Sequence, residues 1–166
     1  FAMHNIPGMP AGNFATRAGA MTASESLFEI TIKARGGHAA MPHMGVDAIY
    51  VGSQLVTALQ GIVSRTLDPA RNGVVSVTEF ITDGRRNVLP GSAFLKGDAR
   101  ALGDDTNTAI EAAMRRICAG IASTHNVEIE VAYDTVFPAL ANHHEAAGAA
   151  VAAARAVAGE NRVNPA

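Results

Sequence analysis

The segment that decides the fold spans residues 27–66 and reads LFEITIKA, then RGGHAAMPHMG, then VDAIYVGSQLVTALQGIVSRT. Apolar and polar side chains alternate over residues 27–34, which is the period of a strand with one buried face. Apolar residues recur at spacings of three and four over residues 46–66, which is the period of an amphipathic helix. The segment therefore predicts a strand and a helix, joined by a loop that starts at Gly36 and Gly37.

The same two periods continue along the chain. They predict a second helix that is capped by Asp104 or Asp105. They also predict three more strands, over residues 73–82, 92–101 and 127–134, with Val75, Val77 and Ile81 sharing one face of the first. The order strand–helix–strand–strand–helix–strand is that of the ferredoxin-like α+β fold, in which two helices cover one face of a four-stranded antiparallel sheet.

The residues on either side of this unit do not follow its pattern. A Pro- and Gly-rich turn precedes it and an Ala-rich helix follows it. The chain also begins at Phe1 rather than at a methionine, so we expect it to be an excerpt of a longer protein. The predicted organisation is a ferredoxin-like domain at 24–136, inserted into a second domain that contributes residues 1–23 and 137–166.

Composition excludes several classes of protein. The 166 residues carry a net charge of −2 and a pI near 6.3, so the chain lacks the basic surface of a nucleic-acid-binding protein. It contains no apolar run of the roughly 20 residues that cross a bilayer, and we expect no signal peptide. Its single cysteine, Cys118, excludes an internal disulfide framework and a cysteine-rich metal site. We expect a cytoplasmic protein that binds neither nucleic acid nor membranes.

Four polar residues stand out as candidates for a functional site. His38 follows two glycines, so its imidazole can reach out of the fold. Asn87 ends a polar turn that could bind an anion. Arg100 lies on the sheet face away from the helices, where it could bind a carboxylate. His4 could be a metal ligand at the end of a strand, although no further donor is close to it in sequence. From the residues alone, a loop histidine and a solvated turn are the favoured explanations of the first two, and a solvated sheet face would also explain Arg100.

Five motifs in this order resemble those of the M20 metallopeptidases, and within them the N-acyl-amino-acid amidohydrolases of the hippurate hydrolase type. The motifs are FAMHNIP at 1–7 with PAG at 10–12 and RAG at 17–19, GGHAAMP at 36–42, LQGIVSR at 59–65, NVLP at 87–90 and GDAR at 97–100. The resemblance covers nearly the whole chain.

The resemblance implies a ferredoxin-like lid, inserted in an α/β metallohydrolase domain, through which two copies form a homodimer. By resemblance, His4 is a metal ligand and His38 is the lid histidine that polarises the scissile carbonyl in the partner's active site. Asn87 and Arg100 match positions that hold the substrate or its carboxylate. The implied cofactors are two divalent ions, of Zn, Mn, Ni or Co, and the implied substrate is a small N-acyl amino acid whose amide bond is cleaved by a metal-activated water.

Other parts of that family's site are missing from this sequence. These are the upstream Cys and His ligands, the Glu pair that includes the general base, and a downstream His ligand. We therefore expect the chain to be one part of a metal-dependent amidohydrolase and to be inactive alone. The alternative is a ferredoxin-like dimerisation or small-ligand-binding module without catalysis.

Overall fold

The computed structural model describes residues 1–165, which form two units: residues 23–139, and residues 1–22 together with those from 140 onward. The helices are α1 (Ala48–Gly61), α2 (Asp104–His125) and α3 (His144–Ala158). The strands are β1 (Phe14–Thr16), β2 (Gly19–Thr22), β3 (Glu25–Lys33), β4 (Gly37–His38), β5 (Gly73–Thr82), β6 (Val88–Leu89), β7 (Ser92–Ala101), β8 (Glu128–Phe137), β9 (Leu140–Asn142) and β10 (Val163–Pro165). The predicted domain at 24–136 lies inside the first unit, and the predicted segment 137–166 ends at Ala166, which is outside the described residues.

The unit of residues 23–139 is built on a four-stranded sheet. Its strand order is β5–β7–β3–β8, and every neighbouring pair is antiparallel. Helices α1 and α2 pack on one face of this sheet. The predicted ferredoxin-like α+β fold is confirmed, and β5 and β7 have the bounds that the alternation of side chains predicts.

The core lies between the sheet and the two helices. Its fully buried side chains include Phe28, Ile30 and Ile32 of β3, Ala93, Leu95 and Ala99 of β7, Val51, Leu55 and Leu59 of α1, and Ile110, Met114 and Cys118 of α2. Burial raises the pKa of the Cys118 thiol to about 11, so this thiol stays protonated at neutral pH and packs as a small apolar group.

One strand departs from the predicted pattern. Val77 of β5 faces the helices as expected, but Ile81 is 54% exposed on the opposite face. A β-bulge between Val77 and Glu79 adds one residue to the strand, and every side chain beyond a bulge changes face. Phe80 therefore takes the place predicted for Ile81, with its ring against Gly52 of α1.

The ends of α1 and α2 differ from those that the spacing of apolar residues predicts. The side chain of Asp47 accepts a hydrogen bond from the Ile49 N–H at 2.8 Å and starts α1. The predicted helix of 46–66 changes at Ile62–Thr66 into a π-helical turn. The prediction that an aspartate caps α2 is wrong: the cap residue is Gly103, and both aspartates lie in the first turn, where their charge favours the helix N-terminus.

In its described part, up to Pro165, the second unit contains two small sheets, one α-helix and a short 3-10 helix at Glu160–Arg162. Strands β1 and β10 pair in parallel, β2 and β9 pair antiparallel, and the Ala-rich segment forms α3 as predicted. Within the described residues, no helix is both long and apolar enough to span a membrane.

The close approach of β3 and β7 at Gly97 gives a test of the core. A Cβ at this position would overlap the ring of Phe28 and the carbonyl oxygen of Ser76. We expect Gly97→Ala to lower the free energy of unfolding by about 1–3 kcal/mol, measured by urea denaturation. Gly120 of α2 is the matched control, because a Cβ there meets open space. Gly120→Ala should raise stability by about 0.5–1 kcal/mol, and equal losses from both variants would contradict this packing.

Candidate functional site

The loop that carries His38 is closed at its base by the backbone. The Ala34 N–H donates to the Gly91 carbonyl at 2.7 Å, and the Gly36 N–H donates to the Val46 carbonyl at 3.0 Å. Gly36 has a φ of +61°, and a Cβ on it would lie 2.8 Å from the carbonyl oxygen of Leu89. Only glycine fits this position without strain, so the chain requires a glycine where it passes Leu89 on its way from β3 to His38.

A second loop meets the first and brings Asn87 to it. Strands β4 and β6 form a two-residue antiparallel ladder in which His38 pairs with Val88. Next to this pair, the Ala39 N–H donates to the Asn87 carbonyl at 3.0 Å. Two of the predicted site residues, His38 and Asn87, are therefore brought together, although 49 positions separate them in the sequence.

The side chains of His38 and Asn87 are both exposed to solvent. The ring of His38 accepts, at Nδ1, a hydrogen bond of 3.1 Å from the backbone N–H of Ala40. Within residues 1–165, the structure gives the side-chain amide of Asn87 no hydrogen-bonding partner. Each side chain can thus offer an N–H group to a ligand from one hydrogen-bonded stretch of backbone, which we call the β4–β6 platform (residues 36–39 and 87–91).

An aspartate that the sequence analysis did not single out fixes the loop that carries Asn87. Asp83 Oδ1 accepts a hydrogen bond from the Ser92 N–H at 3.0 Å, so the carboxylate joins the two ends of the loop. This hydrogen bond is the main reason why the pKa of the Asp83 carboxyl is lowered from its ordinary value. The only sequence signal was an aspartate before a glycine at the start of a turn.

Arg100 occupies a different place from His38 and Asn87. Its side chain lies on the open face of the sheet, as predicted, but near the far end of β7 from the β4–β6 platform. The guanidinium donates to Asp98 at 2.8 Å and to Glu25 at 2.5 Å. The hydrogen bond to Asp98 is the largest cause of the raised pKa of Arg100, and Glu25 adds to it. Two of its nitrogens, Nε and Nη2, are engaged by carboxylates of the same sheet, and its role as a ligand of a substrate carboxylate stays a prediction.

His4 lies in the other unit and is exposed. Its Nδ1–H donates to the carbonyl oxygen of Asn5 at 2.6 Å, which in the neutral ring leaves a lone pair on Nε2. That is the form in which a histidine binds a metal ion. Among residues 1–165, however, no three His, Cys, Asp or Glu side chains gather into a group that could hold a metal. The described residues therefore offer one candidate ligand and do not make a metal centre by themselves.

Comparison with known sequences places the fold and the motifs in a family. Residues 26–126 match the M20 peptidase dimerisation domain. The chain is 37% identical over 160 residues to the hippurate hydrolase of Campylobacter jejuni subsp. jejuni, a match that covers 96% of this chain and 42% of the hydrolase. It is 39% identical over 127 residues to the N-acyl-L-amino acid amidohydrolase of Geobacillus stearothermophilus, covering 76% of this chain and 34% of that protein. The chain thus spans about two fifths or less of the length of these relatives.

Comparison with solved structures agrees. The chain superposes on the crystal structure of the Bacillus subtilis YXEP protein, a dinuclear metal binding peptidase of the M20 family, with a TM-score of 0.74 and 27% sequence identity. The match covers 98% of this chain and 39% of the YXEP chain. Both units of the described structure therefore have counterparts in that protein.

The lowered pKa of Asp83 predicts how the Asn87 loop responds to acid. A group whose pKa is lowered by folding stabilises the fold fully above its ordinary pKa, about 4 for an aspartate, and this contribution is lost as the pH falls through the lowered value. We expect the NMR shift of the Ser92 amide proton to titrate with a midpoint below that of an ordinary aspartate. Asp83→Asn keeps an oxygen acceptor but has no charge, so it should abolish the titration and keep the loop. An unchanged titration in this variant would show that another group holds Ser92.

Proposed function

The chain belongs to the M20 peptidase family, and from that premise we propose that it is part of a metal-dependent amidohydrolase that cleaves the amide bond of N-acyl amino acids of the hippurate type. The names of its relatives support this substrate class, since they include a hippurate hydrolase and an N-acyl-L-amino acid amidohydrolase. The observation that carries the proposal is the β4–β6 platform, which brings the backbones of His38 and Asn87 together and leaves both side chains exposed.

The platform suits the chemistry of amide hydrolysis. When a water attacks an amide, the carbonyl oxygen becomes negatively charged, and a preorganised N–H donor aimed at that oxygen stabilises the transition state. His38 is the donor we assign to this oxygen, and the amide of Asn87 holds the substrate next to it. Both side chains are carried by backbone that is hydrogen-bonded on each side, so little motion is needed to place them.

His4 would contribute one imidazole ligand to the two divalent ions of the complete enzyme. Its Nε2 has the free lone pair that this role requires. The described residues assemble no group of metal ligands around it. What they supply to the reaction is the placement of the substrate and the stabilisation of its carbonyl oxygen.

We also propose that the complete enzyme is a homodimer joined through this domain. The matched family domain is a dimerisation domain. The sheet has two free edges, β5 and β8. Along the β5 edge, large apolar side chains of the strand and of the neighbouring helix α1 are exposed: Val74, Phe80 and Ile81 of β5, and Ile49 and Tyr50 of α1. A second copy of the chain paired along β5 would cover these side chains and satisfy the unpaired backbone groups of the strand.

Replacement of His38 tests the function. In the complete enzyme we expect His38→Ala to lower kcat for N-benzoylglycine by about 10²–10³-fold, the usual cost of losing one oxyanion donor, with the bound metal unchanged. His43 is the control, because it is an exposed histidine of the same loop, and His43→Ala should leave kcat unchanged. Loss of metal with unchanged turnover per bound metal would contradict the role of His38. A metal-loaded wild-type enzyme without hydrolysis of any N-acyl amino acid would instead favour the non-catalytic binding module.

Two charged substitutions test the dimer surface. Ile81 on β5 is 54% exposed and Val136 on β8 is 50% exposed, so they are matched positions on opposite edges of one sheet. We expect Ile81→Glu to raise the dissociation constant of the dimer by about tenfold or more, because the substitution places like charges at the interface of both copies. Val136→Glu should leave it unchanged. Sedimentation velocity measures both, and the opposite ranking would move the interface to β8.

A further inference from the structure

His38 stabilises the turn on which it lies, through its carbonyl group and through its ring. The Met41 N–H donates to the His38 carbonyl at 2.8 Å, which closes a four-residue turn from His38 to Met41. Inside this turn, the Ala40 N–H donates to Nδ1 of the His38 ring at 3.1 Å. The geometry is the one in which Asn and Asp side chains accept the N–H two residues further on.

This second hydrogen bond decides where the ring proton lies. A backbone N–H can only donate, so the nitrogen that receives it must carry a lone pair. A neutral imidazole has one protonated nitrogen and one acceptor, while an imidazolium has none to spare. We propose that the backbone N–H of Ala40 is a positioning group for the reaction, which selects the neutral His38 tautomer protonated on Nε2 and aims that Nε2–H out of the loop.

The inference rests on the proposed function, in which the Nε2–H of His38 donates to the carbonyl oxygen of the amide. A donor contributes most when its direction and proton are set before the substrate arrives. The ladder at His38 and Val88 fixes the backbone, and the bond from Ala40 fixes the ring. Together they leave the ring little freedom to rotate and no need to exchange its proton on binding.

The tautomer can be read directly, without substrate or metal. We expect ¹⁵N NMR of the full chain, at a pH where the ring is neutral, to show a proton bonded to Nε2 of His38. We also expect a scalar coupling across the hydrogen bond between the Ala40 amide nitrogen and Nδ1. His43 is the comparison within the loop, since no group of residues 1–165 hydrogen-bonds to its ring, and it should show no such coupling. A proton on Nδ1 of His38, or the absence of the coupling, would overturn the proposal.

Two substitutions of His38 distinguish its role in stabilising the turn from its role as a hydrogen-bond donor to the substrate. The side-chain oxygen of His38→Asn lies where Nδ1 lay, so the Ala40 amide should stay protected from hydrogen exchange while kcat falls by about 10²–10³-fold. The amide of His38→Gln reaches the place of Nε2 but loses the Nδ1 acceptor, so Ala40 should exchange faster and kcat should lie between those of the wild type and His38→Asn. If kcat instead follows the protection of Ala40, with His38→Asn the more active variant, His38 only shapes the turn and the proposal fails. If the NMR result holds and the complete enzyme hydrolyses no N-acyl amino acid, the proposed function fails and the tautomer assignment stands.

Discussion

The site depends on how closely the backbone of Gly36 passes the segment from Leu89 to Gly91. Strands β3 and β7 are neighbours in the sheet, and their last pair, Lys33 with Ser92, makes both chains leave the sheet at the same point. Beyond that pair the four-stranded sheet ends, and at Gly36 only a residue without a Cβ lets the two segments of backbone stay in contact. The sheet register therefore determines that the loop with His38 and the loop with Asn87 meet.

The elements of the sheet could be predicted because each has one face in the core. Alternation over ten residues was enough to place β7 within its observed bounds, and the spacing of Val51, Leu55 and Leu59 was enough to place α1. The same signal could not show the bulge at Val77–Glu79, because one inserted residue leaves the strand apolar and only exchanges which side chains are buried. Nor could it show β4 and β6, since two-residue strands are too short to have a period.

For the site residues too, the local sequence predicts some features, and contacts between residues that are far apart in the sequence determine the others. The placement of Arg100 on the open face followed from its position in β7, but its partner Glu25 lies 75 residues away and becomes a neighbour only through the pairing of β3 with β7. A sequence can identify a cation that could bind a carboxylate, but it does not show which carboxylate of the same chain lies next to that cation after folding. His38 and Asn87, in contrast, occupy loop positions where the backbone takes up most of the hydrogen bonds and leaves the side chains exposed.

One neighbouring backbone group at each histidine gives the two rings opposite hydrogen-bonding patterns. At His4 a carbonyl oxygen accepts from Nδ1, so the proton is on Nδ1 and Nε2 carries the lone pair that a cation requires. At His38 an amide N–H donates to Nδ1, so the lone pair is on Nδ1 and Nε2 carries the proton that a developing oxyanion requires. The residue type is the same, and composition alone could not assign the two proposed roles. Because each contact lies within two residues of its histidine, the local turn and not the distant fold makes one imidazole an acceptor and the other a donor.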